Sequence, residues 1–376
     1  MKKYLKLTII IVALATLCTA LVACSDGEKE IKYDYLVTFK YNVGNIDAKC
    51  EDQFLGVKKD SPIGIQPGYS DNFKLAEITG YYVEGWYTAK VDGEGNPIVN
   101  SETNKVELDE KWDFEGEKKV NSNVTLYANI LKKPTLSFVD RKDGTVVNTM
   151  VETPGTVRRQ PSETTAPQKE GATFYGYYYA NETGDEQFSW PYTFGTEDDV
   201  VYVEFIEGNW IIARDIKTFN TGIANNLNVY LDADLDFSGQ KWNTRSFNGV
   251  INGNGHTISG ISLEMEGNRF DNSNFGLFGT IREKAQIYDV NIDAELSFEA
   301  MIQGTYTVGF FAWEVEEGAK LNNVKVSGTL TYDIVKSPVT EVNQFIGING
   351  AKSEDITNCD YSGVTLVNSA DNSQDE

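Results

Sequence analysis

The sequence predicts an all-β chain in which two small, related β units precede a stack of parallel coils. Three observations carry that expectation. Aromatic and β-branched residues fall in short runs bounded by Gly, Pro and Asp, which is how strands read. A glycine- and aromatic-rich segment occurs twice between residues 33 and 208. Beyond residue 209, a glycine-flanked apolar strand returns at nearly constant spacing, the mark of a solenoid.

The leader comes first. Met1-Lys2-Lys3-Tyr4-Leu5-Lys6 is basic, and Leu7 to Ala23 is apolar apart from Thr8, Thr16, Cys18 and Thr19. That is the charge order of a secretory signal. It ends in Leu21-Val22-Ala23-Cys24, which resembles the lipobox of bacterial lipoproteins. The resemblance implies that residues 1–23 are removed and that Cys24 becomes a diacylated mature N-terminus, with palmitate as a further acyl group. Residues 24–32 then form a polar, lipid-anchored tether. The expected location is extracytoplasmic and surface-exposed, on the cell membrane or the outer membrane. Two or three acyl chains hold a protein on a membrane far better than one.

Charge and cysteine use narrow the partners. Lys and Arg number 33 against 56 Asp and Glu, a formal charge of −23, and the leader's three lysines leave with it. Such a surface repels phosphate backbones, so no nucleic acid is expected. Cys18 goes with the leader and Cys24 takes lipid. Cys50 and Cys359 remain, far apart in sequence, and read as small buried hydrophobes rather than a disulfide.

In the first half, Gly80-Tyr81-Tyr82-Val83-Glu84-Gly85-Trp86-Tyr87 is echoed by Gly171-Ala172-Thr173-Phe174-Tyr175-Gly176-Tyr177-Tyr178. Leu36-Val37-Thr38-Phe39 and Leu136-Ser137-Phe138 open the two copies. Val124-Thr125-Leu126-Tyr127-Ala128 and Val200-Val201-Tyr202-Val203-Glu204 close them. The pattern resembles the Listeria–Bacteroides repeat of internalin B-repeats, fully in copy 33–132 and in degenerate form in copy 133–208, where Tyr177 replaces the tryptophan. The resemblance implies two small β-grasp-like modules that act as spacers or interaction surfaces. Tyr81, Trp86, Tyr177 and Tyr179 are the candidate ligand-binding residues, a stacking platform for sugars. The competing reading places these rings in small β cores.

Eight of the nine prolines lie between Pro62 and Pro191, which suggests a boundary and a flexible joint near Gly208-Asn209. Past it, Ile216, Phe219, Ile223 and Leu227 sketch a short helix. Val229 to Phe237 alternates, with Asp232, Asp234 and Asp236 on the outward face. Then Phe275-Gly276-Leu277-Phe278-Gly279 is repeated as Val308-Gly309-Phe310-Phe311-Ala312 and as Ile346-Gly347-Ile348-Asn349-Gly350. Each is followed by further short strands with Gly and Asn at the corners. Phe247-Asn248-Gly249-Val250-Ile251-Asn252-Gly253-Asn254-Gly255-His256-Thr257-Ile258 and the Gly-Leu-Phe-Gly run resemble the GLUG repeat family. That likeness implies a short right-handed parallel β-helix over 209–366, leaving 367–376 as a disordered tail. Phe278 and Phe311, each two residues after its glycine, are expected to stack one above the other.

No catalytic, metal or cofactor motif emerges. The Asp232-Asp234-Asp236 row has Phe237 and Asn243 where a calcium loop needs Gly and Glu. His256, the one histidine, has no nucleophile motif near it and reads as a corner residue. Gly253-Asn254-Gly255 lacks the Lys-Ser/Thr of a phosphate loop. The expected function is therefore a non-catalytic adhesion or ligand-binding lipoprotein, with a glycan or host protein as its ligand. The alternative is a polysaccharide-degrading or polysaccharide-capturing β-helix.

Overall fold

A computed structural model describes residues 32–162, 164–181, 186–268 and 273–369. The signal segment 1–23, Cys24, the tether as far as residue 31 and residues 370–376 lie outside the described residues. Strand accounts for 48% and helix for 4%, so the chain is all-β as its composition predicts. Two compact units share it. One gathers residues up to Leu136 with Met150–Arg158 and Pro191–Asp199; the other gathers Ser137–Thr149, Arg159–Trp190 and everything from Val200.

The first repeat forms a five-stranded sheet in the order Gln53–Val57, Tyr35–Lys40, Val124–Lys132, Tyr81–Ala89, Leu108–Lys111. Its first and last strands run parallel at the centre, and the flanking pairs are antiparallel. Alternation does the sorting: Val37 and Phe39, then Leu126, Ala128 and Ile130, all point into one core. Trp86 is the centrepiece, edge-on to Phe39 at 5.0 Å and to Tyr41 at 5.3 Å. The second repeat's sheet runs Val146–Val151, Thr135–Asp140, Asp199–Glu207, Ala172–Tyr179. Taken by repeat position, that is the order of the first sheet without its fifth strand. The two sequence copies therefore fold alike at their centres.

From Ile211 the chain becomes a parallel β-solenoid of about three turns. Three sheets make its faces. One pairs Ser273–Phe275, Tyr306–Gly309 and Glu341–Asn343. A second pairs Phe278–Ile281, Ala312–Val315 and Ile346–Asn349. The third carries the long strands Gln286–Glu299 and Lys320–Asp333 and the Asp360–Asn368 strand. Register turns the sequence repeat into ladders: Ile211, Val229, Ile251, Ile287, Leu321 and Ile356 lie in one row. Leu263, Leu296, Leu330 and Leu366 lie in another.

The long strands bend at Asp289 and Asn323, and the terminal coil turns at the equivalent Asn358. These residues sit at φ of 53°, 51° and 55°. Asn and Asp tolerate this left-handed region better than other non-glycine residues. Asn323 Nδ2 donates to Asp289 Oδ1 at 2.7 Å, linking one corner to the next. The repeated glycines serve close approach instead. A Cβ on Gly309 would fall 2.1 Å from Ala312 O, and one on Gly276 would fall 2.6 Å from Gly309 O.

The aromatic stack is longer than the two rings expected. Trp242, Phe278, Phe311, Phe345 and Tyr361 follow one another at centroid spacings of 5.7, 5.2, 5.2 and 5.1 Å. Phe278 lies over Phe311 as the glycine spacing predicts, although in the backbone register its partner is Ala312. The Ile216–Ala224 helix covers the first coil with Phe219 and Ile223. It stops short of Leu227, which is 42% exposed, because Asn226 takes φ of 54° and leaves the helical region. At the other end, Val367 and Asn368 continue the last strand rather than opening a tail.

Two substitutions test the stack. Phe311→Ala removes a fully buried ring with neighbours above and below and should cost about 3–5 kcal/mol. Tyr361→Ala, whose ring is 44% exposed, should cost about 1–2 kcal/mol, roughly half of a fully buried ring's share. Urea unfolding of both variants measures the difference.

Candidate functional site

The sequence-predicted platform separates into core and rim. Trp86 is 1% exposed and Tyr177 5% exposed, so both rings fill cores and offer no face to a sugar. Tyr177 packs against Phe138, Phe174 and Trp190, and burial pushes its hydroxyl up to about 12. Tyr81 and Tyr179 are half-buried. Tyr179 leans on Phe188 at 4.9 Å, and its hydroxyl accepts from Ser189 N. The alternation that buries Val37 and Phe39 also explains Trp86, since a strand facing a small core must send its bulkiest side chain inward. Cys50 and Cys359 are free thiols packed partly into two different cores, and burial raises both.

Hydrogen bonds cross the expected boundary at Gly208-Asn209. Gly208 N donates to Gly171 O at 2.8 Å, Thr173 Oγ1 donates to Gly208 O, and Trp210 N donates back to Thr173 Oγ1. Asp232, expected to face solvent with Asp234 and Asp236, lies only 15% exposed at this junction. It takes Arg214 Nε at 2.5 Å and the Tyr175 hydroxyl, while Arg214 also donates to Tyr175 O. Tyr230 packs edge-on to both Tyr175 and Trp210. The charge-assisted hydrogen bonds of the half-buried Asp232 tie the strand after residue 209 to the strand that carries Tyr175. Asp232→Ala should destabilise this region by about 2 kcal/mol, the scale of a hydrogen bond to a charged group. It should also open a protease cut near residue 209 that the native chain resists; limited proteolysis followed by mass spectrometry reads this.

Beside the junction, an open groove of about 850 Å³ runs along the flank of the capping helix. Arg214, Asp215, Lys217, Asn220, Thr221 and Asn225 form one wall, and Asp234, Asp236 and Gln240 the other. Ile216 and Ala224 give it an aliphatic lining, while Leu235 beneath is packed into the solenoid core. The helix exists here because Asp215 caps it, accepting from Thr218 N at 2.7 Å. Its apolar side is spent on the coil, which leaves Lys217, Asn220 and Thr221 outward.

The acids of the groove are tied to backbone. Asp234 Oδ1 accepts from Thr257 N at 2.9 Å and lies 3.1 Å from His256 Nδ1. Asp236 Oδ1 accepts from Ser238 N at 2.9 Å. Hydrogen bonds from Thr257 N and His256 hold the Asp234 carboxyl below its ordinary value. The Ser238 hydroxyl and N–H do the same for Asp236, and Thr218 N–H for Asp215. All three are ionised acceptors at neutral pH. Acid–base hydrolysis of a glycan needs one carboxyl held protonated, and these three are shifted the other way. His256 is thus a corner residue bonded to Asp234, as its sequence context predicts.

A second charged cluster lies elsewhere in the same unit. Lys169 Nζ lies 2.5 Å from Asp140 Oδ2 and 3.0 Å from Asp143 Oδ2. Hydrogen bonds from Thr145 and then Lys169 hold the Asp143 carboxyl down to about 2. A carboxyl depressed on folding stabilises the native state above its unfolded value near pH 4 and loses that contribution as pH falls toward 2. Asp143→Asn should therefore lower the melting temperature at pH 7 and flatten the acid limb of a melting-temperature-against-pH curve, the difference from the native chain disappearing as pH falls from about 4 to 2.

Sequence reasoning did not find Lys217, Asn220 and Gln240. The only signal near them is the Asp215 cap followed by an apolar stripe, which marks a helix and says nothing of its outer flank. Among the described residues, no group of three or more His, Cys, Asp or Glu converges as a metal site. No family model matches this chain, and no curated protein matches it in sequence.

Proposed function

We propose that this chain is a membrane-anchored cell-surface lipoprotein that captures a glycan or host protein without turning it over. The observation that carries the reading is the leader: a basic start, an apolar run and Leu21-Val22-Ala23-Cys24. The likeness to Listeria–Bacteroides repeats and to GLUG-type coils points the same way, towards modules that display surfaces outside the cytoplasm. The shared strand order of the two repeat sheets and the stacked coils behind that likeness are compatible with rigid display. The ionised state of Asp215, Asp234 and Asp236 favours binding over hydrolysis.

Cys24→Ala should move the chain from the detergent phase to the aqueous phase on Triton X-114 separation, with its unfolding midpoint unchanged. A variant still retained in detergent refutes the lipid anchor. The full chain probed on an array of glycans and matrix proteins should show saturable binding with no released product; product release would favour the enzymatic alternative.

A further inference from the structure

We propose that the groove between the capping helix and the Asp234–Gln240 segment binds an uncharged oligosaccharide. This rests on the ligand-capture reading above and names its site. Lys217, Asn220 and Gln240 line the groove with side chains that make no hydrogen bond among the described residues. Asp234 spends Oδ1 on Thr257 and His256, and its Oδ2 makes none. The groove thus presents free donors on both walls and a free charged acceptor, Asp234 Oδ2, on the wall of Gln240.

The lining selects by charge. An anion would meet three ionised carboxylates, Asp215, Asp234 and Asp236. A basic peptide would meet the Lys217 ammonium and Arg214, whose guanidinium already holds Asp232. A divalent cation needs several carboxylates in one shell, and these are each turned to a separate backbone N–H. A hydroxyl donates and accepts at once, so it can give its proton to Asp234 Oδ2 while taking one from an amide or ammonium. Neighbouring hydroxyls of a sugar ring match that alternation. The aliphatic side chains of Ile216 and Ala224 suit the C–H face of the same ring. The groove is open rather than enclosed, so it admits a stretch of a chain and not only a single sugar.

The test is calorimetric titration of the full chain, held in a zwitterionic detergent, with three classes of probe. These are the neutral glycans of the array, tetragalacturonate as an anionic oligomer and tetraglucosamine as a cationic one. The expected result is saturable binding of at least one neutral glycan and none of either charged oligomer. Asn220→Ala with Gln240→Ala should weaken that binding at least tenfold, since each lost hydrogen bond is worth roughly three- to tenfold. Glu264→Gln, on an exposed strand position away from the groove, should leave it unchanged. Both groove positions are surface amides, so the double variant should unfold at the native midpoint, and a lowered midpoint would move the test to Lys217→Met.

Failure to bind any neutral glycan, or preference for either charged oligomer, overturns the proposal. A glycan bound equally well by the double variant overturns the groove assignment while leaving ligand capture standing. A chain that binds nothing on the array removes both.

Discussion

Everything from Ile211 onward depends on one constraint: a coil of the solenoid has no core of its own. Each turn contributes a few inward side chains, and these become buried only when the turns above and below are in place. The ladder Ile211, Val229, Ile251, Ile287, Leu321, Ile356 and the ring column from Trp242 to Tyr361 are the result, the terminal coil giving the column both Phe345 and Tyr361. The constraint also fixes the exceptions. Where two coils meet too closely for a Cβ, the residue is Gly276 or Gly309; where a turn must pass the left-handed region, it is Asp289, Asn323 or Asn358.

That constraint explains which parts of the fold could be read in the sequence. Repetition was legible because the coils impose the same environment on equivalent positions. The Gly-Leu-Phe-Gly echo therefore places Phe278 over Phe311, although its third copy is out of register, since Ile346 pairs with Ala312. Alternation was legible in Val37, Phe39, Leu126 and Ala128 for the same reason. The extent of the column was not, because Trp242, Phe345 and Tyr361 join it from outside the repeated motif. The helix was legible as a stripe, but its end at Asn226 was not, since a left-handed asparagine has no signature in hydropathy.

The candidate site was the least legible part. Aromatic residues attract attention as sugar platforms, yet Trp86 and Tyr177 are needed inside, where a small core has few other ways to bury area. Asp232 was misplaced because alternation assigns a face, not a neighbour. Its face points outward from the coil, but Arg214 and Tyr175 wait there and turn a solvated acid into part of a rigid junction. Only tertiary contact distinguishes Asp232 from Asp234, two residues further along.

Position in the stack also decides where binding chemistry can sit. Interior coils have their side chains dictated from both sides, and a substitution there propagates to the next ladder rung. The first coil is different, because it needs a cover with one apolar side and one polar side. The Ile216–Ala224 helix supplies this: Phe219 and Ile223 face the coil, and Asp215 fixes where the helix begins. Its remaining flank is positioned rigidly yet released from packing. Lys217 and Asn220 therefore owe no side-chain hydrogen bond to the described residues, and Gln240 lines the same groove from the neighbouring segment. Free polar groups held by a rigid scaffold are what selective recognition requires. The need to cap a solenoid thus leaves, as a by-product, a polar helix flank that no neighbouring coil covers, and the proposed site rests on it.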